Sequence, residues 1–274
     1  MSTTTPAPPP TATGSFQGVS DLKLVGRQVW YEQLSFWLNP LGAVFTVGFS
    51  VVFLVLLAST AGTGKVSFLH NIRAIQYYVP GFVAYGVMAA SFTILAGTLV
   101  NRREMGLLKR LRLSPLPTWA LLGAIFVSTT IIVVVQVVVL LAVGKLGFGV
   151  HLPQAWGPFL LALLVGLVSF TAMGMGISTL IPNQDAAGPL VSIVFFVLLF
   201  LSGLWFPLKS GSTLANISGY FPVRHMITAV FAPFNLQKGA SPWAWHDLLV
   251  IAIWGLVGAF VAVRRWKWSP RRSS

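Results

Sequence analysis

Cysteine is absent from this 274-residue chain, which excludes disulfides, thiolate metal sites and thiol nucleophiles. Acidic residues are almost as scarce, five Asp and Glu against 18 Lys and Arg. Charged residues of either sign make up 8% of the chain, far below the roughly 25% of a water-soluble globular protein. What fills the space is apolar: 55% of residues are hydrophobic and mean hydropathy is +0.81. At about 20 apolar residues per crossing, roughly 150 such residues supply about six membrane spans with some left over. The alternating polarity of a membrane β-barrel strand is also missing. The expected class is therefore all-α, a polytopic membrane protein.

A formal charge of +13 would suggest nucleic acid in a soluble protein. In a membrane protein cations collect at cytoplasmic helix ends and face anionic lipids. Membrane lipids are the expected partner of this charge, and nucleic acid is not.

Residues 1–19 are rich in Pro, Thr and Ala and carry no charged side chain, the composition of a disordered tail. They do not read as a secretory signal, because the first cation is Lys23 and no apolar run follows until Leu41. In the 20–38 segment, Leu22, Val25, Val29, Trp30, Phe36 and Trp37 fall on one arc of roughly 140° when wound as a helix, with Gln33 alone breaking it. That pattern suits a helix lying in the membrane interface. Within the 39–265 domain, uncharged runs place six spans at about 41–61, 80–100, 119–143, 157–180, 188–206 and 248–263. A basic tail, 266–274, follows.

Two connections are more than turns. After the second span, Arg102, Arg103, Lys109, Arg110 and Arg112 share a stretch with Met105, Leu108 and Leu111 at helical spacing, and Pro115 and Pro117 end it. This predicts a short amphipathic helix on the cytoplasmic side. Between spans five and six, residues 207–246 are too many for a bare loop and too polar to cross, and short helices are expected at Thr213 to Ile217 and Met226 to Phe231. They predict a helical hairpin at the external surface, tolerated at depth only against protein. With six spans, twelve cations fall on the side of the termini and six on the other, so both termini are expected in the cytoplasm.

Enzyme chemistry is largely missing. Ala61 to Val66 faintly resembles a phosphate loop, but Ser59 stands at the first glycine position and Val66 replaces the hydroxyl residue. No H-E-x-x-H or G-x-S-x-G occurs, and His70, His151, His225 and His246 are spread over external segments. No catalytic residue, metal or cofactor is expected in this chain. A membrane-embedded lipid-modifying enzyme would have to draw on Arg224, His225, His246 and Asp247. An ion-coupled carrier or channel, the other alternative, needs ionisable groups in its spans, and the first five have none. Gln136 is the most polar side chain at depth, placed either to bind a substrate or to hydrogen-bond a neighbouring helix. Phe195, Phe196 and Phe200 offer an aromatic wall for an amphipathic substrate.

The order Glu104, Gly106, Lys109, Arg110, Leu111, Ser114, Pro115 and Leu116 resembles a pattern in the membrane subunits of type-2 ABC exporters: an acid, a glycine and a basic-Leu turn before a small-Pro-Leu stop. Leu201 to Pro207, then Phe221, Pro222, Arg224, His225 and Met226, are similar to a second region of that family. Leu107 and Leu108 depart from it, since many relatives carry a small or hydroxyl residue after the glycine.

The resemblance implies a permease subunit that exports drugs, lipids or glycan-lipids across a bacterial plasma membrane. It also implies two copies of a separate ATPase that holds ATP and Mg, and a second permease subunit, expected as a homodimer. The ATPase would dock on the cytoplasmic helix, at Arg102, Arg103, Glu104, Met105, Leu108, Lys109 and Arg110. Phe221, Pro222, Arg224 and His225 would form the external hairpin.

Overall fold

The computed structural model describes residues 21–61, 65–66, 72–106, 118–205, 211–235 and 241–266. The tail 1–19, the docking candidates Leu108, Lys109 and Arg110, and all of the basic tail except Trp266 lie outside them. The described chain is helical, apart from a two-residue antiparallel ladder of Lys65–Val66 with Ile72–Arg73. The elements are α1 (Asp21–Trp37); α2, running from Pro40–Ala43 through a π-helical turn, Val44–Gly48, into Phe49–Ala61; and α3 (Ala74–Glu104), with a π segment at Ala89–Ile94. Next come α4 (Thr118–Ala142, extended by a π turn at Val143–Gly147), α5 (Trp156–Leu180), α6 (Gln184–Leu201), α7 (Thr213–Ser218), α8 (Pro222–Phe231) and α9 (Trp245–Arg265).

Five of these, α3, α4, α5, α6 and α9, are long and apolar enough to cross a bilayer. The chain is an all-α, multi-pass membrane protein. The first expected span is α2, whose apolar stretch, Thr46–Thr60, is shorter than the others. The most enclosed of the five is α3, and Phe82, Met88 and Leu99 on it are fully buried.

Helix ends differ from those expected wherever a residue looked like punctuation. The second span, expected from about residue 80, begins six residues earlier at Ala74 and carries Pro80 internally. Around Pro80, side-chain anchors hold the helix: Gln76 exchanges hydrogen bonds with the backbone of His151, 3.1 and 3.0 Å, and Tyr77 donates to the Gly203 carbonyl. Asn183 caps α6 by accepting from the Ala186 N–H, so that helix starts at Gln184. Asp247 and Arg264 were expected to bound a short last span, but they are incorporated into the first and last turns of α9. Its 21 residues reach about 32 Å, and each charge sits at the helix end whose dipole it favours.

The largest difference is at the end of α3. No new helix begins at Arg102; Arg102, Arg103 and Glu104 are its final turn, and the rest of the expected amphipathic helix, 107–117, lies outside the described residues. Gly106, at φ +68°, supplies the left-handed residue that closes a helix C-terminus, and its N–H donates to the Arg103 carbonyl.

Glycine sets the closest packing. A Cβ on Gly176 would lie 2.7 Å from the Gly258 carbonyl oxygen, and one on Gly258 2.6 Å from the Met173 backbone. Thus α5 and α9 touch backbone to backbone. Gly174 gives the Ser91 and Phe92 carbonyls of the α3 π segment similar clearance.

Candidate functional site

Glu32 on α1 accepts a two-pronged hydrogen bond from Arg102, 2.7 and 2.5 Å, and a third from Gln28 at 2.8 Å. Planar guanidinium and carboxylate groups match in this fork, which fixes orientation as well as charge. Both side chains are largely buried. A second tether comes from Gln33, whose amide donates to the Ser128 carbonyl and hydroxyl of α4, each 2.8 Å. The lone polar residue on the apolar arc is therefore the one that grips the protein. Trp30 and Trp37 remain exposed.

Arg103 turns the other way. Buried to 4% exposure, it donates to the carbonyls of Ser178 (3.1 Å), Ile181 (2.8 Å) and Pro182 (3.3 Å) and to the Glu104 carboxylate (2.8 Å). The last carbonyls of a helix have no partner within it; Arg103 satisfies that of Ser178 in the last turn of α5 and two more in the turn that follows. The end of α3 is thereby joined to α1 on one side and to the α5–α6 turn on the other. Of the described docking candidates, Arg102 and Arg103 are committed to these internal partners, the Glu104 side chain is largely buried against Arg103, and Met105 is 59% exposed. Glu32 was overlooked by sequence reasoning, which left it off the apolar arc of α1 with no role. Its being one of only five acids, on a helix entering a membrane domain with an arginine-rich end, was the available signal.

At mid-depth Gln136 on α4 is buried and donates to the Thr46 carbonyl (3.1 Å) and Ser50 hydroxyl (2.7 Å) of α2. A Cβ on Gly86 would lie 2.3 Å from its amide, so α3 keeps a glycine where the amide passes. Thr46 lies in the π turn of α2. Of the two roles open to Gln136, the structure shows the helix-to-helix bond. Gln136→Leu is expected to lower thermal stability by about 0.6–2 kcal/mol, read as the unfolding midpoint in detergent.

At the opposite end from Arg102, α7 and α8 form the hairpin. Arg224 donates to the Ala215 carbonyl (2.6 Å) and Ser218 hydroxyl (2.9 Å), closing α8 onto α7. Both ring nitrogens of His225 face acceptors: Nδ1 lies 2.6 Å from the Asp247 carboxylate and Nε2 2.8 Å from the Gly219 carbonyl. The Asp247 hydrogen bond raises the pKa of His225 above the ordinary histidine value, against the opposing effect of burial, and the Gly219 carbonyl adds to the rise. Phe221 stacks on Trp254 of α9, whose indole N–H donates to the Tyr220 carbonyl. Pro222 opens α8 at its first position. The hairpin is fastened to the last span at three neighbouring points.

Comparison with known proteins decides the family. Residues 24–234 match the ABC-2 type transporter membrane family. The chain belongs to that family. YvfS of Bacillus subtilis (strain 168), named as a transport permease, is 28% identical over 178 residues, 64% of this chain and 70% of its own. YbhR of Escherichia coli (strain K12), named as a multidrug ABC transporter permease, is 24% identical over 193 residues, 69% of this chain and about half of its own length, 52%.

An ABC-2 membrane subunit is a transport component and not an enzyme, so the grouping of Arg224, His225, His246 and Asp247 is not a catalytic centre. The aromatic wall on α6 of this ABC-2 permease is divided. Phe195 is buried against Tyr85, whereas Phe196 and Phe200 point outward. A separate apolar cleft of about 590 Å³ lies between α4 and α5, lined by Val134, Val138, Leu141, Trp156, Leu160 and Leu164.

Proposed function

We propose that this permease is one half of an ATP-driven exporter for an amphipathic cargo of the drug, lipid or glycan-lipid kind. In this reading two copies assemble in a bacterial plasma membrane with both termini and the Arg102 end of α3 in the cytoplasm. A separate pair of ATPase subunits, holding ATP and Mg, docks there. Counting α2, each copy crosses six times.

The observation that carries the reading is the junction at the end of α3. A push on Met105 reaches α1 through Arg102 and Glu32 and the α5–α6 turn through Arg103. Nucleotide binding elsewhere can bias a two-state membrane domain only through such a stiff connection. Family membership, the multidrug name carried by YbhR, and apolar surfaces such as the α4–α5 cleft support the cargo class.

The deciding experiment is recovery of the tagged chain from native membranes with whatever binds it. A co-purifying ATPase is expected, in equal number to the permease. Transport by the isolated chain in liposomes, driven by an ion gradient without ATP, would overturn the proposal. Two variants separate docking from transmission. Met105→Asp is expected to weaken ATPase retention about tenfold, equivalent to ~1.4 kcal/mol. Glu32→Gln is expected to leave the ATPase bound and hydrolysing while transport falls.

A further inference from the structure

The geometry points to a divalent transition-metal site at the seam between the hairpin and the last span, with His225, His246 and Asp247 as its ligands. It stands independently of the transport reading.

Four histidines that look scattered in sequence are not all apart in space. His246 and Asp247 occupy the first turn of α9, and α8 brings His225 against them; the candidate donor atoms of the three side chains all lie within 4.8 Å of one another. The rings of His225 and His246 have centroids 5.5 Å apart. A tetrahedral ion with bonds of about 2.0–2.2 Å holds its ligand atoms roughly 3.3–3.5 Å from each other. Reaching that spacing asks the 2.6 Å His225–Asp247 contact to open by less than about 1 Å, and the third ring to swing inward. His246 is exposed and free to do so.

Two further observations distinguish this cluster from an ordinary ion pair. The first is the outer support of His225. Metal-binding histidines give their other ring N–H to a carbonyl or carboxylate, which fixes the tautomer and aims the ligating nitrogen. Here the Gly219 carbonyl, 2.8 Å from Nε2, already holds the ring with Nδ1 directed at Asp247. Gly219 belongs to the turn joining α7 to α8, and its own N–H is bonded back to Ala215 and Asn216, so the support is rigid.

The second is the choice of partner for Asp247. Arg224 is adjacent to His225 and permanently charged, the stronger partner for a structural salt bridge. Its guanidinium is instead committed to Ala215 and Ser218, leaving the carboxylate to an imidazole. A histidine can exchange its proton for a metal ion, and an arginine cannot.

Two imidazoles and one carboxylate favour zinc, copper(II), nickel(II) or cobalt(II) over magnesium or calcium, which take oxygen ligands. Three protein ligands leave a fourth position for water. On binding, the ion takes the place of the Nδ1 proton, which leaves to solvent, and no electron moves. Buried His225 and half-buried Asp247 form the inner wall, and exposed His246 marks the way in. An ion here bonds α8 directly to α9.

The test uses the full chain in lipid nanodiscs, carrying no polyhistidine tag, titrated with zinc chloride against a chromophoric chelator. One zinc per chain is expected, with a rise in unfolding temperature that EDTA reverses. His246→Ala leaves the His225 contacts to Asp247 and Gly219 in place and is expected to weaken zinc binding at least about tenfold. Asp247→Asn is expected to abolish it. If Asp247→Asn does not fold, the His246→Ala titration still decides. Absence of zinc binding by the natural chain, or equal binding by His246→Ala, overturns the proposal.

Discussion

Arg103→Ala is expected to be the most damaging single substitution in the described chain, costing about 3–5 kcal/mol. The guanidinium, almost fully buried, is shared among the Ser178, Ile181 and Pro182 carbonyls and the Glu104 carboxylate. Removing it strands the Ser178 carbonyl of α5 and the Ile181 and Pro182 carbonyls of the turn that follows, where water has little access, and it leaves a largely buried carboxylate without its cation. Each loss carries a desolvation penalty of its own. Arg103→Lys is expected to recover only part of the stability, because an ammonium on a flexible stem cannot fill the divergent positions of a planar fork. The check is the unfolding midpoint of purified protein in detergent. An Arg103→Ala midpoint within a degree or two of the natural chain would refute the assignment.

The second large effect is expected at Gly258. A methyl group there would sit 2.6 Å from the Met173 Cα and backbone nitrogen, atoms that no rotamer change can move. The obstruction is repeated along the same seam, where a Cβ on Gly255 would meet the Ser169 backbone at 2.8 Å and one on Gly176 the Gly258 carbonyl at 2.7 Å. Gly258→Val must push α5 and α9 apart. Overpacking of this kind costs about 1–3 kcal/mol, and rigid backbone neighbours place this case at the upper end. Gly123→Ala is the control: a Cβ there meets nothing within 4 Å, and it is expected to gain up to ~1 kcal/mol from helix propensity. Thermal unfolding of the two variants side by side should show opposite signs.

The membrane architecture was legible because partitioning depends on long uncharged runs, which a linear sequence displays directly. The hairpin was legible for the complementary reason: forty residues too polar to cross a bilayer still carried helical spacing and a proline at a helix start. Helix ends were not, because Pro80 and Asp247 act locally as punctuation but are overruled by tertiary partners. The role of Arg103 was hidden as well. In sequence it is one cation in a basic stretch, and the carbonyls that absorb its charge lie 75 and more residues away. His225 and Asp247 are 22 residues apart and meet only because Phe221 and Trp254 draw the hairpin onto the last span.

The π segment at Ala89–Ile94 sets the phase of α3. Such a segment amounts to one residue more than a regular α-helix needs, and each residue of a helix advances the side-chain direction by about 100°. Before the insertion, Gln76 and Tyr77 face the 148–155 connection and the end of α6. After it, Arg102 faces α1 and Arg103 faces α5. Deleting any single residue between 89 and 94 would restore an unbroken α-helix with hardly a change in hydropathy. It would leave the far end facing as it does now, because the surplus residue goes with the π turn; winding the undeleted residues as unbroken α-helix would instead turn that end by about 100°, taking both arginines off their partners at once. At this chain length it is the π turn that keeps the two ends of α3 facing their separate partners.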